Sequence, residues 1–144
     1  MSSILFTKEQ AIAFIKEEYE NAWNNYSKTF NLAPYKKPEC IIINKSIRTA
    51  GFAYRNCKKV EFNLAYCMTE KEKFSRTIYH EVAHIVQFLL FPYAKQAHGS
   101  EFRHIMNSQG LDGSTYHTYS VKNAKAAAKA TKFMLIDDIS SEEW

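Results

Sequence analysis

Apolar side chains recur at Ala11, Phe14, Ile15, Tyr19, Ala22, Trp23 and Tyr26, and from Lys16 onward the residues between them are polar. Steps of three and four match the 3.6-residue turn, so the pattern predicts an amphipathic helix. Thr7-Lys8-Glu9-Gln10 reads as a capping box that opens it, and Pro34 places its end near Asn31. Beyond the break at Tyr35-Lys36-Lys37-Pro38 the period changes. Cys40 to Ile43 is a β-branched run, and Ala50 to Tyr54 and Lys59 to Leu64 read as two further strands joined by a turn near Asn56-Cys57-Lys58. Val60, Phe62 and Leu64 alternate with Lys59, Glu61 and Asn63, as expected of a half-buried strand.

Thr69-Glu70-Lys71-Glu72 reads as a second capping box, opening a helix that Pro92 stops after about Phe91. Phe74, Ile78, Val82, Ile85 and Leu89 form its core stripe. The stretch from Ile85 to Phe91 is apolar nearly all round, which predicts a central, buried helix. A short helix is expected from about Ser100 to Asn107, closed by Gly110. An Ala-rich helix is expected over 121–132, then a short strand over 133–136 and an acidic tail to residue 144. The whole reads as one α+β domain over residues 1–144, with a core at roughly 7–120.

The central helix carries His80-Glu81-Val82-Ala83-His84, an H-E-x-x-H pattern. Four residues advance a helix by about 400° and roughly 6 Å, so both imidazoles leave nearly the same face and can grip one metal ion. Both lie off the core stripe. Glu81, about 100° round from His80, can reach a water on the open side of that ion. The pattern proposes a zinc hydrolase, most simply a protease. Zinc would polarise the scissile carbonyl and acidify a water, and Glu81 would act as general base and acid. A catalytic zinc wants a third protein ligand. The candidates by spacing are His98, Glu101, His104 and His117. Tyr116, His117 and Tyr119 are candidates for stabilising an oxyanion.

Composition adds less. Hydrophobic residues at 46% and charged residues at 24% are ordinary for a globular chain. A net charge of +4 permits nucleic-acid contact without requiring it. Its distribution is more informative. Lys36, Lys37, Lys45, Arg48, Arg55, Lys58 and Lys59 fall in one segment against Glu39 alone. They form either a lysine-protected sheet edge or a phosphate-binding face. Lys122, Lys125, Lys129 and Lys132 make a stripe that can follow a phosphate backbone, or simply a solvated surface. Cys40, Cys57 and Cys67 form no C-x-x-C pair, which argues against a disulfide framework and a cysteine-based zinc ribbon. The first residues lack a signal-peptide pattern and no run is long enough to span a membrane. A reducing, cytoplasmic setting and a monomer without membrane contact are expected.

Several blocks together resemble the SprT-like family, which includes the Spartan proteases. They are Ala50-Gly51-Phe52-Ala53, then Lys59-Val60-Glu61-Phe62-Asn63-Leu64, then His80-Glu81-Val82-Ala83-His84, then His98-Gly99-Ser100-Glu101-Phe102 as an H-G-x-x-[FW] block. The likeness spans roughly residues 40–120, within which Tyr116-His117-Thr118-Tyr119 also resembles a short His-containing segment found late in some members. The resemblance implies zinc ligation by His80, His84 and His98 and catalysis by Glu81. It implies a zincin-like domain, helix-rich with a small three-stranded sheet, expected to be antiparallel. It also implies cleavage of proteins attached to or associated with DNA, and hence a role in repair of DNA–protein crosslinks. Many members carry a Cys-rich zinc ribbon; none is expected here, so DNA contact would fall to the basic segments. Two other readings use the same ligands: a non-catalytic zinc-stabilised module that binds DNA or protein, and a general metallopeptidase not linked to DNA.

Overall fold

Residues 7–44 and 49–111 are described by the computed structural model. The helix, strand and tail expected beyond residue 120 lie outside these residues. So do Lys45, Arg48, Tyr116, His117, Tyr119, Lys122, Lys125, Lys129 and Lys132. The described chain is α+β, with four helices and a three-stranded sheet.

Helix α1 (Lys8–Phe30) begins at the capping box. The Thr7 hydroxyl accepts from the Gln10 amide and the Gln10 side chain accepts from the Thr7 amide. Asn31 ends it in the left-handed conformation that Asn tolerates. Its buried face is the predicted one: Ala11, Ile15, Tyr19, Ala22, Trp23 and Tyr26, with Phe14 partly covered. That face packs chiefly on α3 (Lys71–Leu90). Asn25 donates to the Tyr79 hydroxyl at 2.7 Å, and the Tyr26 hydroxyl donates to the Tyr79 carbonyl at 3.1 Å. Phe74, Ile78, Val82 and Ile85 of α3 are wholly inaccessible to solvent. Each stabilises the fold by about 1.5–3 kcal/mol relative to exposure, and together they seat the metal-motif helix rigidly.

The sheet departs from expectation. Strands β1 (Glu39–Ile43), β2 (Gly51–Ala53) and β3 (Lys59–Asn63) lie in the order β1-β3-β2. The β2–β3 pair is antiparallel, as the tight turn between them demands, but β1 runs parallel to β3. The sheet is therefore mixed rather than antiparallel. The connection after Ile43 is long enough to cross the sheet end, so β3 inserts between its two predecessors. As the central strand it is covered on both faces. Val60 to Asn63 are all buried, which corrects the half-buried reading. The polar members have partners: the Tyr54 hydroxyl donates to the Glu61 carboxylate, and Asn63 both donates to the Thr49 carbonyl and caps the next helix.

That next element, α2 (Leu64–Thr69), corrects the sequence reading twice. Leu64 starts a helix rather than ending a strand, and Thr69 does not cap α3. The Thr69 hydroxyl turns back to the carbonyls of Ala65 and Tyr66, and Glu70 stands at the α3 N-cap without a side-chain cap bond. A loop then leads from Phe91 to Gly99, and α4 (Ser100–Asn107) follows. Helix α4 buries Phe102, Ile105 and Met106 and packs on α3. Gly110, at φ 77°, takes the left-handed conformation just beyond it.

Candidate metal centre

Helix α3 fixes the first two imidazoles one turn apart. Both lie off its core stripe, as expected, yet His80 and His84 are buried, because α4 and the preceding loop fold over them. The loop returns His98 to the same point. His80 Nε2 and His84 Nε2 are 3.2 Å apart, His84 Nε2 and His98 Nε2 3.0 Å, and His80 Nε2 and His98 Nε2 3.3 Å. A hydrogen bond needs one proton and one lone pair, so three imidazole nitrogens converging on one point suit a cation better than one another. Three nitrogens held tetrahedrally at about 2.0–2.1 Å from an ion stand about 3.3–3.4 Å apart, close to these separations. The three histidines could hold a metal ion, and an all-imidazole set fits zinc.

Phe102 forms the apolar wall of this site. Its ring stacks on His84 at 4.5 Å and meets His80 and His98 at 4.9 Å each. Phe88 lies parallel to His84 on α3 at 6.0 Å. These contacts restrict imidazole rotation and exclude water from one side. Burial holds the His98 pKa below its usual value, which favours the neutral ring that ligates metals.

Glu81 follows His80 on α3 and is 7% exposed. Burial pushes its carboxyl up to about 8, and a hydrogen bond from the Ala53 amide opposes that rise. The charge of a bound cation would also oppose it. A base whose pKa sits near the working pH can both take and return a proton. Strand β2 makes the socket for this side chain. A Cβ on Gly51 would lie 2.9 Å from Glu81 Cγ, and 3.3 Å from both the Glu61 carbonyl oxygen and Thr77 Cγ2. Gly51→Ala is therefore expected to destabilise the fold by about 1–3 kcal/mol through overpacking. Thermal unfolding checks this, and an unchanged melting temperature would show that the socket has slack.

The remaining candidates separate clearly. Glu101 and His104 are outside the cluster; His104 is exposed, its ring edge on Phe30 at 5.9 Å. Among the basic residues, Lys36, Arg55 and Lys58 are exposed. Lys37 pairs with Glu20, Arg55 lies over the Phe88 ring at 4.8 Å and Lys59 over the Tyr54 ring at 4.8 Å. Glu39 pairs with Lys59 in the β1–β3 register, so the entry to β1 and the turn carrying Lys58 share one end of the sheet. Gly51 and Phe102 belong to motif blocks that give them no role. Gln87 and Arg103 carry no motif signal at all.

A family model described as the SprT-like family matches residues 15–121. Similar curated relatives include Protein SprT of Pseudomonas putida strain GB-1, 34% identical over 110 residues, covering 75% of this chain and 66% of the relative. Protein SprT of Pseudomonas putida strain W619 is 32% identical over 114 residues, covering 78% and 68%. Protein SprT of Pseudomonas entomophila strain L48 is 31% identical over 114 residues, with the same coverage. The chain thus spans about two thirds of the length of these relatives. No solved structure matches it. Among the described residues no helix is long and apolar enough to cross a membrane.

Proposed function

The chain belongs to the SprT-like family, and from that membership we propose that it is a zinc-dependent endopeptidase of zincin-like fold. Its proposed substrates are proteins associated with or crosslinked to DNA. The observation that carries the reading is the convergence of three Nε2 atoms on one point, with the buried carboxyl of Glu81 on the residue next to His80 in the chain. In this reading His80, His84 and His98 hold the ion. Bound zinc would supply Lewis acidity for the carbonyl and for a water. The Glu81 carboxylate takes that water's proton and returns it to the leaving amine, while the Ala53 amide keeps the carboxylate in place. Phe102 keeps the site dry on one side, which strengthens every charge interaction within it.

The DNA-linked part rests on the family resemblance and on the exposed Lys36, Arg55 and Lys58. It gives a separate expectation. Cleavage of a DNA-bound protein should exceed cleavage of the same protein free, and should fall steeply with salt as counterion release weakens. Substituting Ala at Lys36, Arg55 or Lys58 should lower the salt slope by about 1 for each side chain that neutralises a phosphate. Cleavage indifferent to DNA and to salt would favour the general metallopeptidase. That alternative draws support from Lys37 and Lys59, whose charges already serve intramolecular contacts. Binding of DNA or protein with no cleavage of any substrate would favour the non-catalytic module.

A further inference from the structure

We infer that Gln87 and Arg103 are positioning residues. They clamp the turn that carries His98 and so set the affinity of the three-histidine site for its metal. This rests on the metal-binding half of the reading above and is independent of the peptidase half.

His80 and His84 are fixed by their helix, but His98 arrives on a loop. Its neighbours Lys95, Gln96 and Ala97 are exposed, and His98 itself is half-buried. A loop ligand free to move must lose backbone and side-chain entropy on binding; one ordered in advance has already lost it during folding. Two side chains supply that order from two different helices. Gln87, three residues beyond His84 on α3, donates from Nε2 to the Gln96 carbonyl at 3.0 Å. The same carbonyl accepts from the Gly99 amide at 3.4 Å, closing a turn that contains His98. From α4, Arg103 Nη1 donates to the His98 carbonyl at 3.0 Å, a charge-assisted bond.

Gln87 is anomalous in its setting. It is 2% exposed in a run otherwise made of Ile85, Val86, Phe88, Leu89 and Leu90. Its Oε1 is buried with no hydrogen-bond partner among the described residues. An amide buried with half its capacity unused costs more than an apolar side chain of similar size. What it supplies in return is the donor bond to Gln96, and through that bond the placement of His98.

The test is a competition titration of the metal-free protein with zinc against a fluorescent zinc chelator. Gln87→Leu and Arg103→Met should each weaken zinc binding by about 10–100-fold, the usual effect of removing a partner that orients a ligand. In the His98→Ala background neither should weaken it further, because the ligand they position is gone. Arg103 is exposed, so the metal-free Arg103→Met protein should unfold at the wild-type temperature. That variant carries the test alone if Gln87→Leu does not fold. Wild-type affinity in the variants would overturn the inference, as would an equal loss with and without His98. A wild-type protein that takes up no zinc would overturn both the inference and the metal site. Tight, clamp-dependent zinc binding without proteolysis would sink only the peptidase reading.

Discussion

Glu81→Gln should leave about one equivalent of zinc in the purified protein and lower its cleavage of a denatured or DNA-bound protein by about 10²–10⁴-fold, the range for loss of a general base. Gln has the shape of Glu, so it fits the socket under Gly51, and its Oε1 can still accept from the Ala53 amide. What the amide lacks is a lone pair basic enough to take a proton. A neutral group also removes the burial penalty on the carboxylate, so the variant should fold at least as well as the parent. Metal retained while activity disappears isolates the proton-transfer role. Retained cleavage would remove Glu81 from the chemistry, and absence of zinc would mean that it supports the site instead.

The second large effect concerns the third ligand. His98→Ala should weaken zinc binding by more than the roughly 100-fold that an outer partner can cost, because it removes one of three direct donors. His104→Ala should leave the affinity within a few-fold of wild type. His104 is exposed and meets only the edge of Phe30. Zinc titration of both proteins checks the ranking, and the reverse order would dismiss the cluster as the binding site.

Much of the helical frame is legible in the sequence because its signals are local. The α1 face follows from three- and four-residue steps, and its start from a reciprocal cap within four residues. The end of α3 follows from Pro92. Sheet order is a tertiary property and is not legible in this way. Nothing in Val60 to Asn63 says that β3 will slide between β1 and β2, and alternation suggests an exposed face that the central position removes. Helix α2 is hidden because Leu64 to Met68 are all buried and carry no period, while Asn63, its cap, passes for the polar member of a strand.

The site divides in the same way. The pairing of His80 with His84 is helix geometry and needs no neighbours. The burial of both depends on α4, which a single-helix projection cannot see. Spacing alone leaves His98, Glu101, His104 and His117 as rivals. The structure brings His98 to the pair and leaves Glu101 and His104 outside, while His117 lies beyond the described residues. The distinction depends on a turn held by Gln87 and Arg103, whose bonds run to backbone carbonyls and leave no pattern in sequence.

The proposed activity requires three imidazoles to hold one catalytic zinc ion. Anomalous diffraction across the zinc absorption edge, on crystals of metal-replete protein, addresses it most directly. The expected result is a single zinc peak about 2.0–2.1 Å from the Nε2 atoms of His80, His84 and His98, with the Glu81 carboxyl facing the ion's open side. No peak there, or a peak at other side chains with these rings turned apart, would contradict it.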